Sequence, residues 1–293
     1  MKLFQFYKDN AACLGAELDG ILWDLGEVGR LAGLSLPGSM DEAIAAPGSL
    51  EAIAQGCRSV LSMGAAGESA QLKGPVAFAP VVSRPEKIVC VGLNYRTHTR
   101  ETHETPPPYP LLFGKFPNAL AGHGQPVSIP HAASRIDYEA ELVLVVGRKA
   151  CCIAPEEAED YLFGCTCGND LSARDAQYRT SQWLIGKSFD GFAPTGPFLA
   201  PAGLVDPGCL DISSSVNGQI RQQANTSQMI FDWRQILSYA SQYMTLLPGD
   251  LIFTGTPGGV ILGYPAEQQV WLKAGDEVSV TIQGIGTLTN RLI

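Results

Sequence analysis

Basic residues are scarce in this sequence relative to acidic ones. Lys and Arg number 20 against 29 Asp and Glu, so the formal net charge at pH 7 is −9. Nucleic acids and anionic membrane surfaces attract proteins through an excess of Lys and Arg. The composition therefore argues against a nucleic-acid or membrane partner. An anionic substrate would have to be drawn in by a local site, because the field of the whole protein repels it.

The sequence also lacks a hydrophobic run approaching the ~20 apolar residues of a transmembrane helix. Residues 1–9 acquire charge too early for a secretory signal peptide. The eight cysteines lack the spacing of a zinc site, since Cys151 and Cys152 are adjacent and a single residue separates Cys165 from Cys167. We therefore expect a cytoplasmic protein whose cysteines are mostly reduced and buried.

What the sequence does contain is ample material for a hydrophobic core. Of its 293 residues, 45% are hydrophobic and 17% charged, as in an ordinary globular protein. A stretch of small residues, 64–74, separates two parts of the chain. We predict a small N-terminal α+β accessory domain at residues 1–75. A mostly β catalytic domain with few helices is predicted at residues 80–293.

Local patterns predict individual elements in both parts. One amphipathic helix is expected from Ser49, as its cap, to about Met63, and another at residues 231–244. Residues 125–130 indicate a strand, and Asn217-Gly218 a two-residue hairpin turn. The apolar positions expected to face the core are Leu50, Ile53, Cys57, Val60 and Leu61 in the first helix, and Ile236, Leu237, Tyr239, Ala240 and Tyr243 in the second.

Two glutamates stand at the mouth of a strand that the apolar run 142–146 predicts to be buried. Residues two apart on a strand point the same way, so Glu139 and Glu141 share one face with Cα atoms about 7 Å apart. If the strand end is exposed, both are simply solvated. If it is buried, their charges need a basic partner, a shared proton or a cation. Hard divalent ions such as Mg²⁺, Mn²⁺ and Ca²⁺ prefer carboxylate oxygens.

A third carboxylate, Asp170, follows another apolar segment, residues 161–164, where a strand would give way to a loop. Three carboxylates from two strand ends would form one face of an octahedral metal site and leave positions open for water or substrate. Asp170 could also cap the segment that begins at Leu171, and both roles are compatible.

Other polar residues have a functional and a structural interpretation. His98 and Glu101, three residues apart, share a face of one helical turn, where a carboxylate can make the imidazole a general base; the same spacing occurs on solvated helix faces. Lys187 could balance an anionic substrate or lie on the surface. The loop 255–259 could present N–H groups to an anion or be a tight turn between strands.

Five separated motifs occur in the second predicted domain. In chain order they are GLNYRTHTRE (92–101), DYEAE (137–141), NDLSARD (169–175), GKSFD (186–190) and TGTPGGV (254–260). Together they resemble the fumarylacetoacetate hydrolase superfamily over residues 80–293. The resemblance implies a mixed β-sandwich-like roll, usually a homodimer, with the N-terminal part as a variable extra domain.

The resemblance also implies roles for individual residues. The ligands of Mg²⁺ or Mn²⁺, with Ca²⁺ possible in crystals, would be Glu139, Glu141 and Asp170. His98 and Glu101 would activate water from a segment that orders over the substrate as a lid. Residues near the metal and the anionic groups of the substrate would be Lys187, Arg174 and Gln177, with Thr256 contacting its carboxylate. Three prolines, 106–108, follow the lid and depart from the family pattern.

The implied substrate is a small anionic 2-oxo acid. We expect hydrolysis of a C–C bond in an acylpyruvate-like 2,4-dioxo acid, since a carboxylate-held metal with a separate base suits attack by water. Decarboxylation of an oxaloacetate-like acid, and isomerisation or hydration of an unsaturated 2-oxo acid, are alternatives. A third alternative is an idle metal- or ligand-binding protein, against which the intact pair His98–Glu101 argues.

Overall fold

The computed structural model describes residues 1–293. Its strands are β1 Lys2–Lys8, β2 Ala11–Leu18, β3 Ile21–Asp24, β4 Ile88–Gly92, β5 Leu111–Lys115, β6 Leu120–Ala121, β7 Ile136–Asp137, β8 Ala140–Val146, β9 Leu162–Asn169, β10 Ser172–Ala173, β11 Ala193–Pro201, β12 Asp211–Val216, β13 Gln219–Asn225, β14 Leu251–Phe253, β15 Glu277–Ile282 and β16 Gly286–Arg291. Its α-helices are α1 Leu25–Ala32, α2 Met40–Ala45, α3 Ser49–Ser62, α4 Arg96–Glu101, α5 Arg174–Gln177, α6 Leu184–Lys187 and α7 Trp233–Tyr243. The predicted α+β class, rich in strands, is confirmed.

Strand β8 lies in the middle of the large sheet and separates two cores. The sheet runs β3-β2-β1-β11-β9-β8-β14-β4-β5, with β6 beside β11. Every residue of β8 is buried, which means that both faces of the sheet are covered. Alternate side chains point to opposite faces. Leu142 and Leu144 therefore enter a core shared with α7, whereas Val143 and Val145 enter a core shared with the N-terminal helices.

A second sheet covers the first of these cores. It has four strands in the order β13-β12-β15-β16, and Ile212, Val280 and Leu288 contribute to the same core as Leu142. The predicted hairpin is confirmed, because Val216 pairs with Gln219 across a two-residue turn. Both turn residues, Asn217 and Gly218, have positive φ angles (51° and 79°), as a type I′ turn requires. Two packed sheets give the sandwich-like architecture.

The N-terminal part extends the large sheet and covers its other face. Strand β1 joins β11 through the pair Leu3–Leu199. Helix α3 begins at Ser49, but the cap position is Gly48, and the Ser49 hydroxyl donates to the Ala43 carbonyl oxygen at 2.6 Å. Ser49 is therefore not the cap. The turn between β1 and β2, at residues 9–10, and the helices α1 and α2 complete the N-terminal part.

Several local predictions are wrong. Residues 125–130 form no strand, since Val127 makes only an isolated bridge to Leu292. The predicted core residues Leu61 and Tyr243 are 45% and 68% exposed. Four cysteines are buried, but Cys151, Cys152 and Cys209 are exposed and Cys13 is half-buried.

No helix combines the length and apolar character needed to cross a membrane.

Candidate active site

The two strands beside the centre of the large sheet bring three carboxylates together. Ala140 of β8 pairs with Asn169 of β9 in antiparallel register, so the start of β8 and the end of β9 lie at one edge. The Asp170 N–H donates to the Glu139 carbonyl oxygen at 2.9 Å. Carboxylate oxygens of Glu139, Glu141 and Asp170 lie within 4.8 Å of one another, and all three residues are buried.

Buried cations compensate two of these carboxylates. The Lys187 ammonium donates to Glu139 and to Asp170, at 2.7 Å in each case. Lys115 also donates to Asp170, and Arg174 donates to Glu139 at 2.7 Å. Burial opposes ionisation of Glu139, but the positive charges of Lys187 and Arg174 outweigh it and lower the pKa of this carboxyl group. Both carboxylate oxygens of Asp170 thus accept hydrogen bonds from lysines, and its side chain does not cap the following segment.

Glu141 is compensated differently. One carboxylate oxygen accepts a hydrogen bond from the Gly255 N–H at 2.7 Å, and no Lys or Arg forms an ion pair with it. Burial, together with the negative charges of Asp170 and Glu139, raises the pKa of Glu141 well above its usual value. A buried carboxylate without a cationic partner, beside two others, fits a hard divalent cation, which would favour the ionised form.

Asp137, which the sequence analysis did not select, holds the arginine of this cluster in place. Its buried carboxylate accepts from Arg174 at 2.9 Å and from the backbone N–H groups of Ile261 and Leu262. Another Arg174 nitrogen donates to the Gln177 side-chain oxygen at 3.0 Å. Asp137 is the first residue of the DYEAE motif, and this position was the only feature of the sequence that indicated a role in the site.

The predicted dyad is formed on helix α4. His98 Nδ1 lies 2.9 Å from a carboxylate oxygen of Glu101, and His98 is buried. The other Glu101 oxygen accepts from the Gly259 N–H at 2.7 Å. The Gly255 N–H likewise donates to Glu141, and the Gly258 N–H donates to the Thr97 hydroxyl at 3.1 Å, so three N–H groups of this loop bind side chains of the protein itself. The loop therefore links the acidic cluster to the dyad.

One cavity of about 150 Å³ connects most of these groups. The predicted site residues that line it are His98, Glu139, Glu141, Arg174, Gln177, Lys187 and Thr256. The other two stand behind it, Asp170 against Lys187 and Glu101 against His98. The Thr256 hydroxyl accepts from the Gln222 side-chain amide at 2.8 Å, so it is already oriented.

One wall of the cavity is apolar and was not predicted. Leu111, Phe113 and Trp183 line it, and the Phe113 and Trp183 rings meet edge to face with centroids 5.3 Å apart. Gly92 allows this packing, since a Cβ there would lie 2.6 Å from the Trp183 ring. Trp183 precedes the GKSFD motif by a few residues, but nothing in its local pattern distinguishes a cavity wall from a core position.

A family model described as the C-terminal domain of fumarylacetoacetate (FAA) hydrolase matches residues 87–293. The chain belongs to the fumarylacetoacetate hydrolase family. The resemblance carried by the five motifs is thereby confirmed. Among curated members, oxaloacetate tautomerase Fahd2a, mitochondrial, of Rattus norvegicus is 40% identical over 223 residues, which are 75% of this chain and 71% of the rat protein.

Solved structures of the family resemble the whole chain. The fumarylacetoacetate hydrolase of psychrophilic Exiguobacterium antarcticum is 34% identical, with a TM-score of 0.82 over 100% of this chain and 99% of that one. The maleylpyruvate hydrolase of Sphingobium sp. SYK-6, in complex with manganese(II) ion and pyruvate, is 27% identical, with a TM-score of 0.77 over the same shares. Members of the family are enzymes, and the manganese(II) complex of this maleylpyruvate hydrolase, together with the buried acidic cluster, suggests that the chain binds a divalent metal.

Proposed function

We propose that this chain is a divalent-metal-dependent enzyme acting on the keto and enol forms of a small 2-oxo acid. Its first candidate reaction is keto–enol tautomerisation of an oxaloacetate-like acid. The observation that carries the proposal is the hydrogen-bonded pair His98–Glu101 beside a cavity lined by the buried Glu139 and Glu141. The similarity to oxaloacetate tautomerases over three quarters of the chain supports this choice.

The acidic cluster would hold the metal, Mg²⁺ or Mn²⁺, through Glu139, Glu141 and Asp170. A bound divalent ion would supply Lewis-acid stabilisation of negative charge on the oxygens of a 2-oxo acid. Lys187 and Arg174 would keep Glu139 ionised and add positive charge near the substrate carboxylate. Thr256, at 3% exposure, would donate its hydroxyl hydrogen toward the same carboxylate.

His98 would move the proton. An ionised carboxylate only accepts hydrogen bonds, so Glu101 places the imidazole hydrogen on Nδ1 and leaves the Nε2 lone pair free. In the proposed reaction Nε2 takes a proton from the carbon beside the keto group and returns it to the keto oxygen. In the reverse direction it takes the enol proton and returns it to carbon. The Gly259 N–H holds Glu101 in position for both steps.

The cavity limits the size of the substrate. Its volume of about 150 Å³ is below the ~300–1,000 Å³ of pockets for drug-sized ligands. The polar side chains would take the 2-oxo-carboxylate end, and Leu111, Phe113 and Trp183 would lie against the remaining carbons. A short-chain acid fits this division.

Hydrolysis of a C–C bond in a 2,4-dioxo acid is the second candidate. The same His98 Nε2 could take a proton from water, which then attacks the 4-carbonyl. Two observations favour it: a maleylpyruvate hydrolase resembles the chain over its whole length, and the apolar wall suits an acyl group. Simple decarboxylation is less favoured because it needs no base of this kind, and an idle binding protein would need none at all.

Purified enzyme with Mg²⁺ or Mn²⁺ should be given oxaloacetate and acetylpyruvate in parallel. Loss of the oxaloacetate enol absorbance, faster than the uncatalysed rate and abolished by chelation of the metal, is expected without release of CO₂. A far higher kcat/KM for acetylpyruvate, with pyruvate and acetate as products, would replace tautomerisation by hydrolysis. His131→Ala is the control for His98→Ala, because His131 is exposed and lies outside the cavity.

The homodimer and the cytoplasmic location stay predictions.

A further inference from the structure

Two adjacent cysteines form an exposed pair on the surface of the protein. The Sγ atoms of Cys151 and Cys152 lie 4.0 Å apart, and both residues are exposed. Successive side chains of an extended chain point in opposite directions. Here the backbone of Cys152 has a φ of 53°, a left-handed conformation rare for residues other than glycine. This turn brings both sulfurs to the same side.

The turn is anchored on both sides of the pair. Ala150 and Leu246 exchange two backbone hydrogen bonds, each 2.9 Å long. The Cys152 N–H donates to the Ser241 carbonyl oxygen at 2.9 Å, and the Ile153 N–H donates to the Ser241 hydroxyl at 3.1 Å. Helix α7 and the chain that follows it therefore hold the backbone around the sulfurs, so their proximity does not depend on a freely moving loop.

The pair differs from the other cysteines of the chain. Burial raises the pKa of Cys57 to about 11 and of Cys165 to about 12, which suppresses their thiolates. Cys209 is exposed but has no sulfur neighbour. The hydrogen bond with Cys151, followed by the electrostatic effect of Cys151, raises the pKa of Cys152, so the two sulfurs interact.

We propose that Cys151 and Cys152 form a redox-active dithiol that reacts with small-molecule disulfides and closes reversibly into a disulfide between adjacent residues. The thiolate of one cysteine attacks a sulfur of the small disulfide and releases one small thiol. The neighbouring thiolate attacks the resulting mixed disulfide and releases the second. The pair loses two hydrogens and two electrons, and the small disulfide gains them as two thiols.

Local geometry makes the oxidised form a reversible one. Closure brings the sulfurs from 4.0 Å to about 2.05 Å. The Cα atoms of adjacent residues are about 3.8 Å apart, below the usual ~4.4–6.8 Å span of a disulfide. Strain of this kind makes a disulfide easier to reduce. Glu141 lies at the start of β8 and the cysteine pair lies beyond its end, about 20 Å away along the strand. The inference therefore does not depend on the proposed catalytic function.

Intact-protein mass spectrometry after incubation with oxidised glutathione tests the proposal. Apart from any adduct on the isolated Cys209, the wild-type chain should lose about 2 Da, recover it with dithiothreitol, and show the new bond in the peptide carrying residues 151–152. Cys151→Ser and Cys152→Ser should instead retain a glutathione adduct on the remaining cysteine. Cys209→Ser, the matched exposed control, should lack any adduct on residue 209 but close the pair as wild type does. A stable adduct on the wild-type pair, or a disulfide elsewhere, would overturn the proposal.

A trivalent arsenical specific for paired thiols gives a second measurement that needs no oxidation. Phenylarsine oxide should bind the wild-type chain and Cys209→Ser with one equivalent, because one arsenic can be held by two neighbouring sulfurs. Either single substitution in the pair should abolish that equivalent. Equal binding by Cys151→Ser and wild type would show that the two thiols do not act together.

Discussion

The acidic cluster and the histidine helix face the same cavity, but they are held in different ways. Glu139, Glu141 and Asp170 are 5%, 2% and 0% exposed, and each accepts hydrogen bonds from buried cations or from backbone. They lie at the ends of β8 and β9, whose residues are almost all buried. Moving any one carboxylate would disturb the centre of the sheet.

Helix α4, in contrast, has only six residues, too few to be stable without tertiary contacts. Arg96, Thr97 and Arg100 are exposed, as is most of residues 103–109. Two backbone hydrogen bonds from the glycine loop, Gly258 to Thr97 and Gly259 to Glu101, attach it to the rest of the site. The carboxylates proposed to bind the metal are thus fixed in the sheet, whereas His98, the proposed base, lies on a short helix that we predict to move on ligand binding.

The largest effect is expected from the removal of one carboxylate of the acidic cluster. Glu139→Gln or Asp170→Asn should weaken Mn²⁺ binding more than the ~10–100-fold typical of outer-shell changes, because each removes an anionic ligand. Turnover should be lost with it. Titration calorimetry measures the affinity, and Glu104→Gln, at the exposed mouth of the cavity, is the matched control. Wild-type affinity in both cluster variants would refute the metal assignment.

Removing the proposed base from helix α4 should separate chemistry from metal binding. His98→Ala is expected to lower kcat by roughly 10²–10⁴-fold while leaving the metal affinity near that of wild type. Steady-state kinetics and the same calorimetry provide the two readouts. His98 would be only a bystander if the variant turned over at the wild-type rate.

A smaller effect is expected from the residue behind the base. Glu101→Gln keeps an oxygen for the Gly259 N–H but removes the negative charge beside His98, so kcat should fall by about 10-fold or somewhat more. Loss of that charge disfavours the imidazolium, and the acidic limb of the kcat/KM profile should move to lower pH. An unmoved limb with reduced kcat would indicate a purely structural role for Glu101.

The mildest test leaves the sequence unchanged. Amide hydrogen exchange of residues 96–106 should slow when oxalate and Mn²⁺ are added, because a six-residue helix with an exposed outer face has little protection until a ligand covers it. Strand β8 should be protected in both states. Equal exchange of residues 96–106 with and without oxalate would argue against a lid.

Local sequence determined a good deal of this protein. The period of two predicted that Glu139 and Glu141 lie side by side, and their carboxylate oxygens are within 4.8 Å although Glu139 immediately precedes β8. The spacing of three brought His98 and Glu101 into contact. Asn217-Gly218 set its own turn, since both residues tolerate positive φ. The order of the five motifs was enough to predict the family. Each of these inferences depends on residues close in sequence, where backbone geometry alone relates their positions.

Tertiary structure decided how the site is held together. The bonds from Gly255 to Glu141 and from Gly259 to Glu101 span 114 and 158 residues, and that from Lys115 to Asp170 spans 55. The apolar wall at Trp183 and the loss of the expected strand at 125–130 likewise depend on distant neighbours. Sheet pairing and loop packing set these contacts, and they leave no periodicity in the sequence, because their partners are brought together only when the chain folds.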